Sequence, residues 1–69
     1  MYKHLCTVFD LKSKYEISNL LEKNSVEYRL KHSRTRLATE RDVKTYHRYR
    51  FRVKRRNLAE AQALTDSIM

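Results

Sequence analysis

Sixty-nine residues with one cysteine, no glycine and no proline allow a single thin domain, 1–69, that no internal disulfide can brace. Sixteen Lys and Arg against eight Asp and Glu leave a net charge of +8, which excludes an acidic tail and points to nucleic acid, anionic lipid or an acidic protein as partner. No apolar run reaches membrane-spanning length, and Met1-Tyr2-Lys3-His4-Leu5 lacks a signal-peptide core, so a cytoplasmic protein without membrane association is expected.

In chain order, residues 2–9, YKHLCTVF, are rich in β-formers and read as a first strand. Asp10 offers a helix cap, and Ser13 with Glu16 offers a second one as an S-x-x-E capping box. Behind them Ile17, Leu20 and Leu21 share a face, extended by Leu11 or Lys14, which predicts a helix over 11–23. Asn24 suits the left-handed turn that would end it. Residues 26–32, VEYRLKH, alternate as a half-buried strand does: Val26, Tyr28, Leu30 and His32 point one way, Glu27, Arg29 and Lys31 the other.

From Ser33 to Asp42 the alternation fails and small polar or charged residues dominate, so 33–42 reads as a variable, mobile loop. The next segment carries the clearest pattern in the chain. Across 43–54, Val43, Thr45, His47, Tyr49, Phe51 and Val53 form one face, while Lys44, Tyr46, Arg48, Arg50, Arg52 and Lys54 form the other. Asn57 and Glu60 then repeat the capping-box spacing ahead of a short closing helix striped by Leu58, Ala61, Leu64 or Thr65, and Ile68.

Helices this short need the apolar face of a sheet to persist. The expected fold class is therefore α+β: a β-α-β-β-α two-layer sandwich with a three-stranded mixed sheet in order 1-3-2 and both helices on one face. This is a ferredoxin-like arrangement lacking its fourth strand. The first strand keeps a bare edge, and either Lys3, Leu5, Thr7 and Phe9 or His4, Cys6 and Val8 face away from the helices. With the first set outward, Leu5, Thr7 and Phe9 form a candidate dimer edge. A chain this short buries only about 60% of the surface its unfolded form exposes, so a homodimer is the expected state.

Three segments carry a family resemblance: Thr7-Val8-Phe9-Asp10-Leu11-Lys12, Asn19-Leu20-Leu21-Glu22-Lys23-Asn24 and Val26-Glu27-Tyr28-Arg29-Leu30-Lys31. Together they resemble the small bacterial prokaryotic signal-transducing proteins, a family otherwise of unknown function. In those proteins a helix closing on "LL-x-x-N" is followed by an "I/V-E-Y/V" strand, a variable loop, a strand rich in Tyr and Val and a final helix. The resemblance spans most of the chain and departs at Asn24-Ser25, where the family commonly has Asn-Gly, and in the Arg density of 48–56. It implies a truncated ferredoxin-like fold and a regulatory role, with no catalytic residues.

Reaction chemistry is not visible. His32 and His47 can pair across the hairpin, but a metal site needs a third ligand, for which Cys6 is the candidate without recognisable spacing. Cys6 and His4 share a strand face by alternation, with no residue placed to orient the imidazole, so an inert buried thiol is expected. Glu40 and Asp42 are expected to neutralise neighbouring Arg. There is no phosphate-binding glycine loop and no HExxH pattern, so neither catalysis nor a cofactor is expected.

Residues 29–56 hold twelve Lys or Arg against two acidic side chains. On a strand, Lys44, Arg48, Arg50, Arg52 and Lys54 recur at about 6.6 Å or a multiple of it, close to the single-strand phosphate repeat, with Tyr46 between them for stacking. The candidate binding face is thus Arg29, Lys31, Lys44, Tyr46, Arg48, Arg50, Arg52 and Lys54. The expected function is a small non-enzymatic regulatory or adaptor-like protein for an unknown protein or small ligand. The alternative is RNA or single-stranded DNA binding through this basic face.

Overall fold

A computed structural model describes residues 1–68. The elements are β1 (Tyr2–Val8), α1 (Leu11–Lys23), β2 (Tyr28–Ala38), β3 (Val43–Lys54), a single 3₁₀ turn (Arg55–Asn57) and α2 (Leu58–Asp66). β3 lies between β1 and β2. The fold is the expected α+β arrangement, β-α-β-β-α in order 1-3-2. Both ladders are antiparallel, so the sheet is antiparallel and not the expected mixed one: β1 and β2 run the same way but never pair, because β3 lies between them.

The helices cover one face of the sheet. Val8, Tyr49, Phe51 and Val53 from the strands pack with Ile17 and Leu21 of α1, Val26 ahead of β2 and Ala61 of α2. Phe51, Val53 and Leu21 are completely buried. The inward row of β3 was legible from alternation alone, whereas in the expected stripe of α1 Ile17 and Leu21 are buried, Leu20 is only half-buried, and Ser18 is buried in addition. Leu11 is 55% exposed, so half-buried Lys14 extends that stripe instead, with Nζ lying 4.6 Å from the centre of the Tyr15 ring and 5.6 Å from that of Tyr49.

The caps differ in detail. Asp10 accepts the Ser13 N–H at 3.0 Å and is the cap of α1. Asn24 is not left-handed (φ −96°); Ser25 is, at φ 57°. The Ser25 N–H donates to Glu22 O and the Val26 N–H to Leu21 O, the paired bonds that close a helix around a left-handed residue. Asn24 contributes through its side chain, which donates to Leu20 O at 2.8 Å. Asn57 makes no side-chain cap bond, because the preceding 3₁₀ turn runs straight into α2.

The larger correction concerns β2, which continues to Ala38. Residues 33–38 are strand, paired one for one with 43–48, and only Thr39–Asp42 form the turn. Beyond Tyr49 nothing covers either face of this hairpin, so its residues alternate without an apolar side and mimic a loop in sequence. Thr39 and Asp42 fix the turn. The Thr39 N–H and Oγ1 both donate to Asp42 O, and the Asp42 carboxylate accepts the Val43 N–H at 2.8 Å. Asp42 is thus a turn residue and forms no ion pair with a neighbouring arginine among the described residues.

The hairpin stretches the molecule to 47 × 24 × 15 Å, with a radius of gyration of 14.1 Å. A compact chain of this length would have about 11 Å.

Candidate functional site

All eight candidate residues fall on β2 and β3, on the face turned away from the helices. Arg29 lies opposite Arg52, Lys31 opposite Arg50, Ser33 opposite Arg48, Thr35 opposite Tyr46 and Leu37 opposite Lys44. Lys54 ends the row beside Tyr2 of β1. Residues directly opposite in an antiparallel pair have side chains on the same face, about 5 Å apart at Cβ, where like charges destabilise the sheet. Two such cation pairs sit side by side here.

The row is not uniform. Lys54 Nζ is bonded to Glu27 Oε2 at 2.9 Å, the one ion pair among the described residues. Tyr2 donates its hydroxyl to the other oxygen of Glu27, and these two bonds, Lys54 first, hold the Glu27 carboxyl below its usual range. The Arg29 guanidinium lies over the Tyr2 ring, its Cζ 4.4 Å from the ring centre. At the body end, then, two cations have internal partners. Among the described residues, Lys31, Lys44, Arg48, Arg50 and Arg52 have no acidic partner.

Charge is segregated by element. All eight side-chain carboxylates lie in helices or in the segments between elements, and no strand contains one, whereas ten of the sixteen Lys and Arg lie in strands. Sequence reading missed two of these, Arg34 and Arg36, by placing them in a loop. They project from the helix-side face of the hairpin, opposite His47 and Thr45, beyond the reach of either helix. Arg41 sits in the turn. The signal that could have found them is Thr35 between two arginines at strand spacing, just ahead of a β3 too long for a seven-residue partner.

Where the body meets the hairpin, His32 Nε2 and His47 Nδ1 lie 2.9 Å apart, and both rings stack on Tyr49. The hydrogen bond requires one ring to accept, so the pair holds it only while at least one imidazole is neutral. No third His, Cys, Asp or Glu joins them among the described residues.

β1 sorts differently from either expected set. A bulge between His4 and Cys6 shifts the register, so that His4 faces outward with Arg52 while Cys6 turns inward with Phe51. His4 and Cys6 therefore do not share a face. Burial pushes the Cys6 thiol upward, away from the reactive thiolate. Leu5 packs against the core, Thr7 lies outward beside Arg50, and Phe9 follows the strand with 65% of its surface exposed. The apolar strip of Leu5 and Phe9 on the outer face does not form, because the bulge lets consecutive Leu5 and Cys6 both reach the core.

Among the described residues no pocket is formed, and no helix is long and apolar enough to cross a membrane. Comparison with family models, with curated proteins and with solved structures finds no match. The resemblance to the prokaryotic signal-transducing proteins rests on its sequence segments.

Proposed function

We propose that this chain is a small nucleic-acid-binding protein that engages phosphates with the outer face of its sheet. The observation that carries the reading is the direct opposition of cations across the ladder, Lys31 to Arg50 and Arg29 to Arg52, without interleaved carboxylates. A sheet face with no ligand gains nothing from that pattern, and a polyanion converts its repulsion into affinity. Titration of labelled single- and double-stranded nucleic acid at two salt concentrations tests it. Binding through about five cations weakens with salt at a log–log slope of about −3.5 on a single strand and about −4.5 on a duplex. Replacing Arg50 and Arg52 together with Glu abolishes binding with the fold retained. Absence of binding at low salt, or binding indifferent to the double substitution, defeats the proposal.

A second reading, a regulatory or adaptor-like role through self-association, is favoured by Phe9, Leu11 and Tyr15, all more than half exposed around the start of α1. The β1 edge beside them carries no neighbouring strand. A second copy pairing along that edge is the partner this reading requires. Sedimentation at micromolar concentration finds a dimer if it holds and a monomer if it does not.

A further inference from the structure

The outer half of the hairpin differs from the rest of the sheet in having cations on both faces. Lys44 and Arg48 project from the outer face, Arg34 and Arg36 from the other, and Arg41 stands at the turn. A single strand lying along the sheet would meet one of these faces and leave the other unused. Stacking is also poorly provided for: Tyr46 is the one aromatic side chain on the outer face of this half, where single-strand platforms use several.

An anion that addresses both faces must flank the hairpin on two sides, and the two phosphate backbones bordering a groove do so. Six residues per strand give the free half a length of about 17 Å, and a β layer with its side chains is about 10 Å thick. The major groove of B-form DNA is about 12 Å wide and admits a two-stranded β-ribbon, whereas the minor groove, at about 6 Å, does not. The corresponding groove of A-form RNA is deep and too narrow for side chains to read. The turn needs no glycine and is tied by Thr39 and Asp42, so the ribbon is held in shape before it meets a ligand.

Resting on the nucleic-acid reading above, we propose that the ligand is duplex DNA and that residues 33–48 enter its major groove. Arg34 and Arg36 then face the phosphates of one wall, and Lys44 and Arg48 those of the other. Two double variants test this, Arg34→Gln with Arg36→Gln and Lys44→Gln with Arg48→Gln, each measured on a labelled 20-base-pair DNA duplex and on its separated strands across a salt series. Circular dichroism establishes that both variants fold.

Each variant is expected to lower the magnitude of the duplex salt slope by about 1.8, the loss of two phosphate contacts, and the wild-type chain to protect guanine N7, a major-groove atom, from dimethyl sulfate. Binding in which only the Lys44/Arg48 variant is impaired and single strands compete equally overturns the groove proposal while leaving phosphate binding by the sheet intact. Duplex binding without N7 protection overturns it as well. Failure to bind any nucleic acid removes both readings together.

Discussion

The two halves of the β2–β3 hairpin are continuous in backbone and opposite in physics. In the inner half, Tyr49, Phe51 and Val53 face the helices, and a third strand pairs with β3. In the outer half, 33–38 and 43–48, there is no third strand, no helix cover and no buried residue. The inner half is held by burial of apolar area, the outer half by its ladder and by the turn at Thr39–Asp42. Because burial dictates side chains in one half alone, the other is free to carry charge on both faces. The inner half thus combines a buried apolar row with an outward row of Arg29, Lys31, Arg50 and Arg52, whereas the outer half carries cations on both faces and no core residue.

Phe51→Ala is the strongest test of that division. The side chain is fully buried where β3 meets Ile17 and Leu21, and such a deletion costs about 3–5 kcal/mol. A chain of this size has a total stability of a few kcal/mol, so the variant is expected to be unfolded at 25 °C by circular dichroism. Tyr46→Ala, on the same strand but 52% exposed, is expected to stay within about 0.5 kcal/mol of wild type in urea denaturation. Comparable losses from the two substitutions would mean that the outer half contributes to the cooperative core, and the comparison would fail.

The same division explains what the sequence revealed. The order of elements and the position of β3 were legible because twelve alternating residues marked a strand with one apolar face, and the stripe of α1 marked its complement. Residues 33–38 were not: with solvent on both faces nothing requires an apolar side, and they lie beyond the end of the alternation in 26–32. The equally exposed 43–48 were legible because their alternation runs on into Tyr49, Phe51 and Val53. Arg34 and Arg36 were lost with them, although Lys44, Tyr46 and Arg48 on the partner strand were found. The bulge in β1 has no signature in YKHLCTV, where nearly every residue suits burial. At the end of α1 the turn was anticipated one residue early, since Asn24 has the higher preference for a left-handed conformation but uses its side chain on Leu20 instead.

That misplaced turn yields a finer test. Ser25 holds φ 57° with a Cβ that crowds the following carbonyl, at a cost of about 1 kcal/mol that glycine does not incur. Ser25→Gly is therefore expected to stabilise the chain by up to about 0.5 kcal/mol, after the greater freedom of glycine in the unfolded chain is allowed for. The substitution lies in the body, away from the hairpin, so the nucleic-acid affinity proposed above is expected to be unchanged by it. A raised melting temperature with altered affinity would show that the two regions are coupled.

The smallest expected effect is on acid stability, and it too belongs to the body. Two exposed carboxylates are held below their usual range: Asp10 by the backbone and side-chain hydrogen bonds of Ser13, and Glu27 by the side chains of Lys54 and then Tyr2. A carboxyl whose folded value is depressed binds its proton more readily in the unfolded chain. Its stabilising contribution is complete above the unfolded value, near 4, and is lost as the pH falls through the folded one. The melting temperature is expected to fall below about pH 4 in wild type, and to fall less in the Asp10→Asn, Glu27→Gln double variant. Glu40, at the turn of the hairpin, makes no side-chain hydrogen bond or ion pair among the described residues, so Glu40→Gln is expected to leave the acid limb of the wild-type curve where it was. If Glu40→Gln flattened that limb and the body variant did not, acid sensitivity would reside in the hairpin, and the partition of stability into the body would be wrong.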